Sequence, residues 1–320
     1  MKLPKRKFLI IFIILLNTFN VVVIYIFLQR RNANTKSIEQ PQINQIKESK
    51  SKENQAKGSK ENPSSSKYLV STIDSTKSDS IKIFLPILGS SDKLSPVALR
   101  NLRTYRAKQR ALAIKHPKSL YFNGDTMRKE IALTFDDGPD ARVTPQVLKI
   151  LAKYKVPASF FLVGNYVKNH PGVVKKIDKE GHLVLNHSTS HQSYMKKQKS
   201  WIKRDLMTTE NAIFKVIGKR SAMFRPPYGD IDLNMIEEVQ ANGYKNIIWS
   251  YDTLDWTGAS IDTIAQGIIT KVRPGEIILM HSRQGVENTV KALPKIIQRL
   301  QQQGYQFVRL DKMLMVRAYK

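Results

Sequence analysis

The 320-residue chain contains no cysteine. Structural disulfides and a lipid-modified cysteine are therefore excluded, and the folded part has to rely on its hydrophobic core. Glycine-rich phosphate-binding loops, long internal repeats and nucleic-acid-binding motifs are also missing from the sequence. These absences disfavour nucleotide-binding, repeat and nucleic-acid-binding proteins.

Aromatic residues are missing from Gln29 to Lys67, where Lys, Glu, Gln, Asn and Ser dominate. Such a segment cannot bury enough apolar surface to offset the entropy that is lost on ordering. We therefore predict a disordered basic linker over residues 32–80. About 40 residues of flexible coil have a root-mean-square reach of roughly 35 Å.

An almost unbroken apolar run extends from Phe8 to Leu28. As a helix it would be roughly 31 Å long, enough to cross the hydrocarbon core of a bilayer. More basic residues precede the run than follow it, so the amino terminus should stay in the cytoplasm and the remainder should be extracytoplasmic. The length of the run and the lack of a small-x-small cleavage pattern favour an uncleaved, single-pass signal anchor over residues 1–31, rather than a cleaved signal peptide.

Two patterns mark an amino-terminal extension over residues 81–128. Residues 81–88 are mostly apolar, and we interpret them as an accessory strand that packs against the rest of the protein. Residues 95–113 have a helical pattern with arginines at spacings of three, three and four. This spacing places four guanidinium groups near one face, those of Arg100, Arg103, Arg106 and Arg110.

Residues 129–320 alternate short apolar runs with helical patterns. Thr144 and Pro145 fit a helix start, because an N-cap hydroxyl precedes a proline at the first helical position. Alternation of strand and helix predicts an α/β fold, with a parallel sheet and helices outside it.

Two adjacent carboxylates, Asp136 and Asp137, follow the apolar run 131–133 and precede a Gly-Pro pair. Residues at the carboxyl end of a strand in an α/β fold point into the crevice where ligands bind. Side chains alternate along a strand, so the two aspartates should face different ways and could take different tasks. An ordinary Asp-Gly-Pro turn is the alternative interpretation.

A pair of histidines, His187 and His191, follows the strand-like run 183–185. On a helical turn, a spacing of four would put both rings on one face, as metal chelation requires. Structural histidines are the alternative, although the whole chain has only six.

Three further polar clusters follow in the chain. They are the segment from Arg225 to Tyr228, the segment from Asp252 to Trp256, and His281 at the end of the apolar run 277–280. Taken alone, the first could be a plain Pro-Pro-Tyr-Gly turn and the last a buried core histidine.

In this order, the five clusters resemble the motifs of the NodB-homology polysaccharide deacetylases, carbohydrate esterase family 4. The resemblance covers residues 129–317 or so. Two positions depart from the family pattern, since Leu185 replaces a frequent glycine and Ser282 follows His281 where aspartate is common. The resemblance implies a distorted, incomplete (β/α) barrel with its site at the carboxyl ends of the strands.

The resemblance also implies a metal centre. Asp137, His187 and His191 would bind one divalent metal ion and leave positions open for water and substrate. Zinc suits this mixed set of nitrogen and oxygen ligands best, while cobalt or nickel could replace it.

A base and an acid for hydrolysis of an N-acetyl group are implied beside that centre. Asp136 would be the general base, and His281 would be the general acid. Arg225 would orient Asp136, and Asp255 would in turn pair with Arg225.

Three residues are implied as substrate contacts. The backbone N–H of Tyr228 would help to hold the oxyanion. Trp256 and Leu279 would form the apolar slot for the acetyl methyl group and the sugar face.

The expected reaction is therefore metal-dependent hydrolysis of N-acetyl groups in a cell-wall polysaccharide, by a hydrolase that acts on linear amide bonds. Peptidoglycan N-acetylglucosamine is the leading substrate, and chitooligosaccharide and N-acetylmuramic acid are the alternatives. A non-catalytic wall-binding module is a further alternative, which an intact base and acid disfavour. The deacetylase domain is expected over residues 129–320, on the outer side of a bacterial cell membrane.

The formal net charge of +27 indicates either an anionic binding partner or a surface rich in solvated lysines. Nucleic acid is the usual partner of a basic chain, but an exported domain rarely meets it, and none is expected here. Anionic wall polymers and lipid headgroups are the alternatives to a surface of simply solvated lysines, and both interpretations stay open.

Overall fold

The computed structural model describes residues 83–320. The predicted signal anchor over residues 1–31 and the predicted linker over residues 32–80 lie outside these described residues. Within residues 83–320, helices that combine the length and the apolar character of a membrane span are absent.

Nine short strands of the described chain form one sheet, and all their strand-to-strand pairings are parallel. The strands are β1 (Leu120–Tyr121), β2 (Glu130–Asp136), β3 (Ser159–Leu162), β4 (Leu183–Asn186), β5 (Met223–Phe224), β6 (Lys245–Ile247), β7 (Tyr251–Asp252), β8 (Glu276–His281) and β9 (Gln306–Phe307). Their order in the sheet is β1-β6-β5-β4-β3-β2-β8-β7, and β9 pairs with β2.

The sheet is curled into an incomplete barrel. The amide of Ile248 donates to the carbonyl of Tyr121 over 2.8 Å, and the amide of Ser250 donates to the carbonyl of Ile277 over 3.1 Å. Residues 248–250 therefore connect the β1 edge of the sheet to its other edge at β7 and β8. The predicted α/β fold, a distorted and incomplete (β/α) barrel, is confirmed.

Helices pack around the sheet. They are α1 (Pro96–Lys115), α2 (Val143–Tyr154), α3 (Gly164–Asn169), α4 (Pro171–Lys179), α5 (Lys199–Ile217), α6 (Leu233–Ala241), α7 (Ile261–Lys271), α8 (Glu287–Gln302) and α9 (Leu310–Leu314). Two short 3-10 turns, Pro227–Gly229 and Asp255–Thr257, lie near the carboxyl ends of β5 and β7. The largest hydrophobic cluster packs Leu133 of β2 and Ile278 of β8 with Leu148 and Leu293 from the helices, and all four are fully buried. Burial on this scale is the dominant favourable term in folding.

Helix α2 does not start as the sequence pattern predicted. It begins at Val143, and the carboxylate of Asp140 accepts from the amides of Val143 (2.7 Å) and Thr144 (2.9 Å). The hydroxyl of Thr144 instead donates to the carbonyl of Ser282 over 2.7 Å. The prediction of Thr144 as the N-cap was wrong, because a stronger acceptor stands four residues earlier.

The extension before residue 129 contributes an edge strand to this sheet. Strand β1 pairs with β6, with Leu120 opposite Asn246 and Tyr121 opposite Ile247. Of the predicted accessory strand over residues 81–88, Leu88 forms an isolated parallel bridge with Tyr251, at the β7 edge. The chain from residue 88 to β1 thus runs from one edge of the sheet to the other, and α1 lies between them.

The predicted helix over residues 95–113 is confirmed as α1, but its four arginines do not form one cationic face. Arg106 is buried and pairs with Asp252, while Arg110 is partly buried and donates from Nε to the carbonyl of Phe84 over 2.8 Å. Arg100 and Arg103 remain exposed. Two of the four arginines on this helix therefore help to hold the fold together.

Candidate active site

The polar clusters of the sequence meet at the carboxyl ends of the strands. Asp136 ends β2 and His281 ends β8, and the two are register partners across this parallel pair. His187 directly follows β4, and Arg225 directly follows β5. Because the strands all run the same way, their carboxyl ends bring these side chains to one edge of the sheet.

A compact group is formed by Asp137, His187 and His191, whose potential ligand atoms lie within 4.8 Å of one another. We call these three residues the metal-ligand group. Oδ1 of Asp137 lies 3.4 Å from Nε2 of His187 and 3.1 Å from Nε2 of His191. This oxygen is buried and makes no well-aligned hydrogen bond within the described part of the chain. Burial by itself would raise the pKa of Asp137, but the two imidazoles and the charge of His281 hold that pKa well below its ordinary value.

The orientation of His187 is set by its second ring nitrogen. Nδ1 lies 2.7 Å from the carbonyl oxygen of Arg225, so the proton belongs on Nδ1 and is donated to that carbonyl. Nε2 then keeps its lone pair, and it is the nitrogen that faces Asp137. A histidine held in this way is prepared to act as a metal ligand.

The two histidines lie on a loop, and the predicted helical turn is wrong. Ser188 has a φ of 69° and His191 has a φ of 57°, both in the left-handed region that a right-handed helix cannot contain. The amide of Ser188 donates to Oδ1 of Asn186 over 3.0 Å, and the amide of His191 donates to Oγ of Ser188 over 2.9 Å. These local side-chain bonds, rather than helical periodicity, bring both rings to one carboxylate.

This set of donor atoms fits a divalent metal ion. A buried carboxylate oxygen without an aligned partner and two imidazole Nε2 atoms converge on one point. Mixed nitrogen and oxygen sites of this kind suit zinc, and cobalt and nickel also accept them. Three protein ligands would leave further coordination positions for water or substrate.

Asp136 is held by the buried guanidinium of Arg225. Nη1 of Arg225 donates to Oδ1 of Asp136 over 2.7 Å and to the hydroxyl of Thr134 over 2.8 Å. Nε and Nη2 donate to the backbone carbonyls of Ile247 and Ile248 over 3.3 and 2.9 Å. Arg225 is fully buried, so its side chain has no freedom to release the carboxylate to solvent.

Asp255 pairs with His281, and the predicted pairing of Asp255 with Arg225 is wrong. Oδ1 of Asp255 lies 2.7 Å from Nδ1 of His281, and Oδ2 accepts from the amide of His281 (2.9 Å) and from the hydroxyl of Thr289 (2.6 Å). The reason is topological, because the 3-10 turn that carries Asp255 follows β7 and β7 is the neighbour of β8. The support of His281 therefore comes from Asp255, and not from the position of Ser282.

The pairing with Asp255 changes the acidity of His281. Burial alone would lower the pKa of His281, but the charge and the hydrogen bond of Asp255, together with the charges of Asp137 and Asp136, raise it to about 9. An imidazole with this pKa is protonated at neutral pH. It can therefore donate a proton to a leaving group.

Tyr228 lies on the turn that follows Arg225. Its backbone φ of 62° is unusual for a residue with a side chain. The two residues before it are both prolines, Pro226 and Pro227, which restrict the backbone that leads into the turn. The Tyr228 ring packs edge-on against His191, with ring centroids 4.6 Å apart, and 60% of the residue is exposed. The structure thus places Tyr228 beside the metal-ligand group.

One cavity of about 330 Å³ is lined by Asp136, Asp137, His187, His191, Tyr228 and His281. Trp256, which is 46% exposed, and Leu279, which is almost fully buried, both contribute to its lining. The structure therefore brings every sequence-predicted site residue into this cavity or into direct contact with a residue that lines it. Arg225 and Asp255 are the two that act from behind the cavity wall.

Sequence reasoning missed several contributions to the cavity, among them Trp249 and the two described next. One is a face of helix α1, whose arginine spacing had indicated only that four guanidinium groups lie near one face. The other is Arg283, whose Nε donates to Oδ2 of Asp137 over 2.9 Å and fixes the oxygen that does not face the histidines. The only available signal for Arg283 was its position two residues after His281, at the end of a predicted strand.

Known proteins are similar to this chain in sequence and in fold. Residues 123–247 match the family described as polysaccharide deacetylase. A peptidoglycan-N-acetylglucosamine deacetylase from Bacillus cereus is 38% identical over 194 residues, which are 60% of this chain and 70% of that protein. The peptidoglycan-N-acetylmuramic acid deacetylase PdaA from Bacillus subtilis is 31% identical over 198 residues, which are 61% of this chain and 74% of that protein.

A solved structure of a deacetylase is also similar to this chain in its fold. The crystal structure of the Bc1960 peptidoglycan N-acetylglucosamine deacetylase superposes with a TM-score of 0.62 at 36% identity. The superposition covers 64% of this chain and 97% of that one. The chain belongs to the polysaccharide deacetylase family, the NodB-homology group called carbohydrate esterase family 4.

Proposed function

We propose that this chain hydrolyses N-acetyl groups of a cell-wall polysaccharide, with the N-acetylglucosamine of peptidoglycan as the leading substrate. The observation that carries the proposal is the pairing of Asp136 with His281 across β2 and β8, beside the metal-ligand group and in one cavity. The names of the similar proteins from Bacillus cereus and Bacillus subtilis support the same substrate class.

The chain's own residues divide the work of hydrolysis. A divalent metal ion held by Asp137, His187 and His191 would supply Lewis acidity when bound. Asp136 acts as the general base through Oδ2, because Oδ1 is held by Arg225. His281 protonates the departing nitrogen as the general acid through Nε2, because Nδ1 is held by Asp255.

Three residues are assigned to the substrate itself. The backbone N–H of Tyr228 stabilises the oxyanion, and the strained turn beside His191 supports this role. The side chains of Trp256 and Leu279 provide the apolar slot for the acetyl methyl group and the sugar face, because both line the cavity.

Other substrates and a non-catalytic role are the competing proposals. Chitooligosaccharide and N-acetylmuramic acid carry the same N-acetyl group, so the chemistry alone does not separate them from N-acetylglucosamine of peptidoglycan. A pure wall-binding module is disfavoured, because Asp136 and His281 each have a dedicated buried partner that a binding site does not need.

Metal dependence gives the first prediction. Removal of metal by a chelator should abolish acetate release from purified peptidoglycan, and added zinc or cobalt should restore it. His187→Ala should lower activity at least about 100-fold and reduce the bound metal measured by elemental analysis, because one of three ligands is lost. His116→Ala is the matched control, since His116 caps the carboxyl end of α1 and does not line the cavity. Full activity of His187→Ala in metal-free buffer would contradict the proposed site.

The acid–base assignment gives a prediction on pH. His281 is active only when protonated, so kcat should fall on the alkaline side at a pH no higher than its pKa of about 9. Asp255→Asn removes the charge that raises this pKa, so the alkaline limb should move down by about one to three pH units. The measurement is kcat for acetate release between pH 5 and 10.

Asp262→Asn is the control for this profile, because Asp262 is exposed on α7 and pairs with Lys295, away from the cavity. Its alkaline limb should coincide with that of the wild type. If the limb of Asp255→Asn also coincided with that of the wild type, His281 would not be the acid whose titration limits the rate.

We also propose that residues 1–31 hold the protein in a bacterial cell membrane, with the deacetylase domain outside. The support is the apolar run from Phe8 to Leu28 and the basic residues before it. The mature protein should therefore fractionate with membranes and keep this run. Sequencing of its amino terminus provides the check, and a terminus near residue 32 would instead show cleavage.

A further inference from the structure

Helix α1 presents one face to the catalytic cavity. Leu102, Tyr105, Arg106 and Gln109 line the same cavity as the metal-ligand group. Their spacing of three, four and seven residues places them on a single side of the helix. All four precede residues 123–247, the part of the chain that matches the family. This wall of the cavity is therefore added by a segment outside the family match.

Buried polar contacts fix α1 in this position. Nη2 of Arg106 donates to Oδ2 of Asp252 over 2.9 Å, and only 6% and 5% of the two side chains are exposed. Nε2 of Gln109 donates to the carbonyl of Gly229 over 2.5 Å. Breaking a buried ion pair leaves an uncompensated charge in the interior, so α1 cannot swing away from the cavity without a large cost.

Tyr105 links α1 to the two loops that carry site residues. Its hydroxyl donates to Oδ1 of Asp230 over 2.6 Å, and the hydroxyl of Ser193 donates to Oδ2 of the same carboxylate over 2.6 Å. Asp230 follows the turn of Tyr228, and Ser193 follows His191 by two residues. Burial and the charge of Asp230 raise the pKa of Tyr105, so its hydroxyl stays a donor.

The part of Tyr105 that remains for a ligand is its ring. Because the hydroxyl is engaged by Asp230, the ring and the neighbouring Leu102 offer an apolar surface to the cavity. Both residues are partly exposed, in contrast to the buried Arg106 and Gln109 of the same face. A fixed aromatic ring beside an aliphatic side chain is suited to the apolar face of a sugar ring.

We propose that Leu102 and Tyr105 form a glycan subsite, in which a hexopyranose unit next to the reacting N-acetyl group packs on helix α1. The inference rests on the proposed deacetylase function and deepens it, since it names a specificity-determining element for the polysaccharide. In this arrangement α1 selects for an extended sugar chain. A small acetyl ester that reaches only the metal-ligand group and Asp136 does not need the helix.

Three substitutions on one helix test the proposal. Leu102→Ala and Tyr105→Ala should each weaken binding of N-acetylglucosamine pentamer by about tenfold, measured by titration calorimetry, because each removes a contact surface. In turnover, KM for the pentamer should rise by a similar factor in both variants. Leu102→Ala keeps the contact of Tyr105 with Asp230, so its hydrolysis of 4-nitrophenyl acetate and its bound metal should stay within about twofold of wild type. Lys108→Ala is the control, because Lys108 is exposed and outside the cavity, and it should change none of these values.

Tyr105→Phe separates the ring from the hydrogen bond. The ring remains, so this variant should bind the pentamer within about threefold of wild type, whereas a role confined to the Asp230 contact would make it as weak as Tyr105→Ala. If Tyr105→Ala fails to fold by circular dichroism, Leu102→Ala decides alone, because Leu102 is only partly buried.

The outcomes distinguish this inference from the proposed function. Normal pentamer binding by folded Leu102→Ala and Tyr105→Ala, together with acetate release by the wild type, would overturn the subsite and leave the deacetylase intact. Weakened binding in both variants, with no acetate release by the metal-loaded wild type from any glycan, would support the subsite and overturn the deacetylase.

Discussion

The rest of the site depends on the contacts of one fully buried residue, Arg225. Its side chain holds Asp136 and Thr134 at the end of β2 and packs on the ring of Phe161, with Cζ 4.1 Å from the ring centroid. Its backbone carbonyl accepts from Nδ1 of His187 and so directs Nε2 toward the metal-ligand group. One residue thus fixes both the base and a metal ligand. Removing the guanidinium would leave Asp136 buried without its countercharge, at a cost of about 3 to 5 kcal/mol.

The proposed base and the proposed acid stand side by side but belong to separate networks. Asp136 and His281 are register partners, yet one is held by Arg225 and the other by Asp255. Arg225 places a cation against Asp136, and the carboxylate of Asp255 raises the pKa of His281. Catalytic pairs are commonly built in this way, because their environments separate their protonation states.

Sequence alone predicted the local features of the fold and site. Apolar runs ending in Asp136 and His281 marked β2 and β8, since a buried strand needs side chains that are apolar on both faces. The sequence could not show that Asp255 pairs with His281 rather than with Arg225, because that contact depends on β7 lying next to β8 in the sheet. The inward face of α1 was missed for the same reason. Helical spacing shows which residues share a face, but only the packing of distant segments decides where that face points.

In the proposed mechanism, Asp136 performs the chemistry while Asp137 and the two histidines hold the metal. The most direct test measures acetate release from purified peptidoglycan and bound metal together, for the wild type and for Asp136→Asn. Asparagine keeps the shape and can still contact Arg225, but it cannot take a proton. We expect acetate release by the wild type, and a loss of about 100-fold to 10,000-fold in the variant with its metal retained. An active Asp136→Asn enzyme, or one that loses its metal along with its activity, would contradict this division of roles.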